Sequence, residues 1–303
     1  MTEATLSLAQ SIDAFSDLTQ HLTETDLDRP WAWNSYDEEG VRFAFFRVFE
    51  ELRTLTVQLQ QERQTTGRPS SSAHRILAQY HVAYRDLYAA MRGIDATTLD
   101  TPPAEAEWPV RQALGHIAGA DAGFFTVLIN ALNQLRAGVS KPVKMDLETY
   151  EAILGMKATD EDAALEGPLA GIMAFHEMIH GRILAELADI SEDELALPSV
   201  YWESGPLSVR FRLHRFESHI RQHTVQIDKT LAALGHGPTE ARRLLRMIYG
   251  ALAGAEGALI GAEEVDADLV SATANAIAGY TAEIAVVLGQ YPATCHIMGS
   301  GNA

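Results

Sequence analysis

Cysteine is almost absent from this chain: Cys295, close to the end of 303 residues, stands alone. A single thiol excludes an internal disulfide framework and any Cys-rich zinc knuckle, which leaves His, Asp and Glu as the possible metal ligands. Basic residues are scarce as well, 23 Lys and Arg against 41 Asp and Glu, for a formal charge of −18. That balance excludes a nucleic-acid backbone and an anionic membrane face as partners, because both select positive surface. No apolar run is long enough to span a bilayer, and Met1-Thr-Glu-Ala-Thr-Leu6 has neither the basic region nor the apolar stretch of a signal peptide. A cytoplasmic protein is expected. Also missing are a phosphate-cradling glycine loop, a nucleophile elbow and a Rossmann fingerprint.

Strand-like alternation is rare too, and what fills its place is helical periodicity. Ala73, Leu77, Tyr80, Tyr84, Leu87 and Met91 form a three-four stripe. Val110, Leu114, Ile117, Asp121, Phe124 and Leu128 form another, with one polar interruption. The clearest alternating run, Leu207-Ser-Val-Arg-Phe-Arg-Leu213, is read as the first turns of the helix that follows it. The pattern predicts an all-α protein.

A weak repeat organises the chain. Its copies run Leu22-Thr-Glu-Thr-Asp-Leu27 to Pro30, then Gly40-Val41-Arg42-Phe43; Ile94-Asp-Ala-Thr-Thr-Leu99 to Pro102, then Trp108-Pro109-Val110-Arg111; and Ile190-Ser-Glu-Asp-Glu-Leu195 to Pro198, then Leu207-Ser-Val209-Arg210-Phe211. Acidic residues ahead of a leucine and a proline soon after it suit a capped joint between antiparallel helices. A further helix pair is expected from about Thr239 to Gly289. Gly67-Arg-Pro-Ser-Ser-Ser72 and Gly235-His-Gly-Pro238 read as linkers, and the long stretch Gly138–Gly167 as a crossover or a short helix placed to cover a site. The expected divisions are 1–68, an N-terminal hairpin; 69–236, a bundle; and 237–303, a C-terminal hairpin packing on the first.

The most informative segment is Phe216-Glu-Ser-His219-Ile-Arg-Gln-His223-Thr-Val-Gln-Ile227. Its histidines stand four apart, so they share one helical face with Phe216, Ile220, Ile227, Leu231 and Leu234. Imidazoles turned toward a core must be hydrogen-bonded or must share something that uses their lone pairs, such as a metal ion.

Two stretches carry a family resemblance. Trp108-Pro-Val-Arg-Gln-Ala-Leu-Gly-His116 resembles the Trp-x-Val-Arg-x-x-Leu-x-His that opens the second helix of the DinB-like superfamily, and His219-Ile-Arg-Gln-His223 resembles the paired histidines of its fourth helix. The resemblance covers about Ser72 to Gly235. It implies a four-helix bundle of up-down-down-up type in which His116, His219 and His223 hold one divalent metal, zinc, nickel or iron. It further implies a small-molecule substrate and a low-molecular-weight thiol as cosubstrate, as in mycothiol- or bacillithiol-dependent S-transferases and thiol-dependent isomerases. The related sulfoxide synthases carry an acid two residues beyond the second histidine, where this chain has Val225, so that subclass is set aside. Aligning Val41-Arg42 with Val110-Arg111 puts Arg47 where His116 stands, so the outer hairpins are expected to form a degenerate second bundle that has lost its metal. The chain is then a monomer with an internal pseudo-dimer, or a homodimer.

Other constellations compete. His176-Glu177-Met-Ile-His180 matches the zinc-hydrolase motif of two ligands and a general base, with Glu203 or Glu217 as distant third ligands, but no histidine extension follows it. The plainer reading makes these histidines flanking residues, and a non-catalytic metal-binding or stress protein is the main rival to the transferase. Asp121, five residues beyond His116, reads as a helix-face polar residue rather than as an acceptor for a ligand histidine. Trp31, Trp33, Tyr36, Phe43, Phe45, Phe46 and Phe49 read as core rather than as a ligand pocket. Arg210, Arg212, Arg215 and Arg221, scattered around the histidine helix, read as salt-bridge partners rather than as receptors for an anion.

Overall fold

The computed structural model describes residues 3–201, 205–262 and 266–290. Glu203 and Cys295 lie outside them. Among the described residues the chain runs α1 (Glu3–Thr19), α2 (Glu24–Leu27), α3 (Val41–Thr65), α4 (Ser72–Met91), α5 (Ala96–Asp100), α6 (Val110–Arg136), α7 (Leu147–Leu154), α8 (Ala158–Glu166), α9 (Leu169–Glu186), α10 (Glu192–Leu195), α11 (Val209–Ala233), α12 (Glu240–Ala258) and α13 (Ala267–Val287). Two residues on either side of the loop before α11, Pro198–Ser199 (β1) and Leu207–Ser208 (β2), pair antiparallel. Leu207 and Ser208 are therefore not helical, contrary to the periodicity. The reason is local: the Ser208 side chain accepts from Phe211 N as the N-cap of α11, and a cap residue has extended backbone.

The repeat in the sequence is a repeated joint. Thr23, Asp95 and Ser191 cap the one-turn helices α2, α5 and α10, and Thr23 and Ser191 do so with full capping boxes. A single turn cannot stabilise itself, because nucleation fixes several residues for one hydrogen bond, so the cap and one buried side chain must hold it. That side chain is Leu27, Leu99 or Leu195, each buried. After each joint a fully buried valine, Val41, Val110 or Val209, opens the next long helix. The arginine following each valine reaches back to the joint: Arg42 to Asp28, Arg111 to Asp100 and Arg210 to Glu192.

The long helices build two cores. Leu77, Tyr80, Ile117, Phe125, Ile179, Leu213, Phe216 and Ile227 lie in the first, drawn from α4, α6, α9 and α11. Ile12, Phe15, Phe45, Val48, Leu52, Ile248, Leu252 and Ile277 lie in the second, drawn from α1, α3, α12 and α13. The outer hairpins thus form a second bundle, with α1 packed on α13 and α3 on α12. Trp31 and Phe45 are buried in it, with Trp33, Phe43 and Phe49 packed against it, so the aromatic cluster is largely core. The bundles are joined side by side, since α12 packs along α4 as closely as along α3. At that seam a Cβ added to Gly257 would stand 2.9 Å from Ala78 Cβ, so the glycine allows the two helices to touch. The long connection after α6 holds α7 and α8, both packed against α6.

Candidate metal centre

Helix α11 buries one stripe, Val209, Arg212, Leu213, Phe216, His219, Ile220, His223, Thr224, Ile227 and Leu231, with three- and four-residue spacing. His219 and His223 sit on that stripe and are buried with it. Facing them on α6 is His116, six residues past the valine that opens the helix and exposed on its outer side. Trp108, just before α6, packs its ring 5.3 Å from the His116 ring.

The three rings converge. Their centroids are 5.0 Å apart for His116 and His219, 4.7 Å for His116 and His223, and 4.6 Å for His219 and His223. One donor atom from each lies within 4.8 Å of the other two, and His116 Nε2 approaches His219 Nε2 to 3.2 Å. His223 Nδ1 lies 2.8 Å from Gln226 Oε1, an oxygen that can only accept. The proton is therefore on Nδ1, and Nε2 of His223 keeps its lone pair, which is the arrangement that an outer hydrogen bond gives a metal-binding imidazole. His219 Nδ1 is buried without a hydrogen-bond partner.

Burial works against charge on two of the three rings. Burial, then His223, His116 and Arg215, push the His219 pKa down to about 3. Burial and His223 lower that of His116. Uncharged imidazoles at neutral pH are what a divalent ion requires, and three of them leave open positions on it. The residues present thus fit one metal ion, and an all-imidazole set suits zinc, nickel and iron alike.

The lining comes from α6 and the loop before α11. Phe124 turns its ring edge-on to His219 at 5.6 Å and to Phe216 at 5.8 Å, and Tyr201 meets Phe124 at 6.5 Å. Gly115, Gly119 and Gly123 make one face of α6 bare. Added Cβ atoms there would stand 2.8 Å from Leu165 O, 3.0 Å from Leu165 Cδ1 and 3.0 Å from the Tyr201 hydroxyl. The end of α8 and the loop before α11 therefore press directly onto α6.

His176 and His180 are not part of this centre. Both are buried and both are engaged: His176 donates from Nε2 to Asp121 Oδ2 (3.0 Å) and takes the Tyr88 hydroxyl at Nδ1 (3.0 Å), while His180 Nε2 meets His81 Nδ1 (3.1 Å). Glu177, the would-be general base, is on the exposed side of α9. Nor is Asp121 a surface residue of its helix. It is fully buried and accepts from the Tyr80 hydroxyl (2.8 Å) as well as from His176, so it is the acceptor of a core network rather than a partner of His116. The period was right, but a carboxylate on the apolar stripe was matched by donors on α4 and α9. Burial raises the Asp121 pKa and that of Tyr80.

The network continues to the seam between bundles. His81 donates from Nε2 to Glu256 Oε2 of α12 at 2.7 Å, and Arg85 pairs with both oxygens of the same carboxylate. In the second bundle, Arg47 occupies the position aligned with His116. Its guanidinium lies 4.0 Å over the Trp33 ring and pairs with Glu50 and Glu51, and Tyr280 of α13 donates to Glu51. A fixed cation and its carboxylates stand there instead of imidazoles. Sequence reasoning gave no role to Gln226 or Glu256 and read Phe124 only as part of an apolar stripe; the three-residue spacing from His223 to Gln226 was the one signal available to mark a partner of the site.

An all-α bundle with three imidazoles meeting from two facing helices defines a class of helical proteins built around a candidate metal centre. Residues 79–227, which include all three histidines, match the sequence profile of the DinB superfamily, and this part of the chain belongs to that superfamily. No curated protein and no solved structure shows a significant match to the chain.

Proposed function

We propose that His116, His219 and His223 hold one divalent ion and that the chain uses it to join a low-molecular-weight thiol to a small electrophile, or to isomerise a substrate through such a thiol. The observation that supports this reading is the convergence of three lone-pair-bearing imidazoles, closed on the α11 side and open at exposed His116. A divalent ion held there supplies the Lewis acidity that lowers a thiol's pKa and keeps it a thiolate at neutral pH. The chain's own residues do the rest. Gln226 fixes the tautomer and orientation of His223. Phe124 and Trp108 flank the rings with apolar surface and exclude water from one side of the group. Tyr201, pressed against α6 at Gly123, backs the Phe124 ring that faces His219.

The test is metal analysis of tag-free protein. One equivalent per chain is expected, falling to near zero in H219A and H223A and staying unchanged in H176A. Protein without stoichiometric metal overturns the reading; metal loss in H176A but not in H116A moves the site to α9. Metal-loaded protein that turns over no thiol and electrophile pair leaves the non-catalytic binder in its place.

A further inference from the structure

Four arginines surround the histidine helix, and the structure sorts them. Arg210 pairs with Glu192, and Arg221 pairs with Glu217 at 2.7 Å. Arg212 is buried, donating to Ser199 Oγ at 2.7 Å. Arg215 differs. Its guanidinium donates to the exposed Ser218 hydroxyl at 3.1 Å and lies 5.8 Å from the Phe124 ring centroid, and it has no carboxylate partner among the described residues. The nearest acid in sequence, Glu217, is already taken by Arg221.

Arg63 and Arg242 likewise have no carboxylate partner among the described residues, but backbone carbonyls hold both, and no ion pair holds Arg53, Arg75 or Arg243; what marks Arg215 is its place beside the histidines. Arg85, Arg92, Arg111, Arg136, Arg182 and Arg246 all meet carboxylates. Arg215 is also one turn before His219 on the same face, and both contact Phe124. One turn earlier again, Phe211 shows 46% of its surface to solvent. The face thus runs from an exposed aromatic, through an uncompensated guanidinium, to the histidine centre. A guanidinium beside a divalent ion places two cations side by side with no carboxylate paired to the guanidinium among the described residues, an arrangement made favourable when a ligand brings negative charge. A planar guanidinium binds an oxyacid group through two parallel N–H bonds, which a lone ammonium cannot do.

We infer that Arg215 is an anion subsite of the histidine centre, and that the thiol or electrophile handled there carries a carboxylate- or sulfonate-type group about one helical turn away from its reacting atom. The inference rests on the metal reading above. It assigns Arg215 a role in selecting the ligand, not in the chemistry.

The experiment uses the full chain loaded with cobalt(II) and titrates two thiols of equal chain length, 2-mercaptoethanesulfonate and 2-mercaptoethanol, following the sulfur-to-cobalt absorption. The sulfonate is expected to bind roughly tenfold tighter, the scale of a charge-assisted hydrogen-bonded pair. R215Q is expected to keep its cobalt and lose that preference, and R215K to keep a part of it, having the charge without the fork. Cobalt uptake with the same preference in R215Q as in the unaltered chain overturns the subsite and leaves the metal reading standing. No cobalt uptake by the unaltered chain overturns both.

Discussion

At the scale of single residues, the buried polar groups decide more than the apolar ones. His180 lies fully inside the first bundle with its ring stacked 3.6 Å from that of Tyr84. Burial, then the charges of His81, His176 and Arg85, hold its pKa well below 6.5. The unfolded chain therefore takes up a proton below about pH 6.5 that the folded chain refuses, and stability falls as the pH drops through that value. Thermal melting between pH 8 and 5 should show a flat plateau followed by a decline. H180F should melt lower at neutral pH, since it leaves His81 Nδ1 without a partner, but decline less steeply on the acid side. A slope equal to that of the unaltered chain would remove His180 as its source. The sequence made the three convergent histidines legible, because a helical period and a family spacing both pointed at them. Asp121 was misread for the converse reason. Nothing in its own segment announces the Tyr80 hydroxyl on α4 or His176 on α9, which make its burial tolerable.

At the scale of elements, the joints and the long helices were legible because their signals are local: cap residues, a buried leucine, a valine at each restart. The two-residue ladder before α11 was not, because pairing with Pro198–Ser199 depends on a partner across a loop. The bare face of α6 was equally hidden, since a glycine in a helical run says nothing of what approaches it. Its weight can be measured. Ala in place of Gly in a helix interior ordinarily stabilises by about 1 kcal/mol. G250A, on α12 with nothing within 4 Å of the added Cβ, should do so. G115A should instead destabilise by roughly 1–3 kcal/mol, because its Cβ would stand 2.8 Å from the Leu165 carbonyl oxygen, and backbone cannot swing aside as a side chain can. Denaturant midpoints of the two variants should move in opposite directions. Movement in the same direction would show that α8 is free to lift from α6.

At the scale of the whole molecule, α12 links the bundles, and the carboxylate of Glu256 is the buried charge at that seam, beside the ion pairs Arg246–Asp86 and Arg92–Asp13. The Glu256 carboxylate is buried, yet its pKa is lowered, because His81 and Arg85 outweigh the cost of burial. Removing it in E256A strands both partners at the seam and should cost about 3–5 kcal/mol, the usual penalty for breaking one side of a buried pair. E256Q should cost less, because it still accepts a hydrogen bond. Equal losses in the two variants would assign the effect to packing rather than to charge. The arrangement of both bundles was legible from the outer hairpins and the absence of histidine from α12 and α13. Their side-by-side union through α4 was not, because contacts between helices so distant in sequence leave no periodic trace.

Helix α12 also belongs to the hydrophobic packing of one bundle while its Glu256 closes the polar network of the other. Neither half can then melt alone without tearing out a wall of its neighbour. Occupancy at His116, His219 and His223 would be felt as tightening in the other half as well, by the mass action that favours any bound native state. The other bundle, with Trp31 buried in its core and held by Glu283 at 3.0 Å, becomes a built-in reporter of what its partner binds.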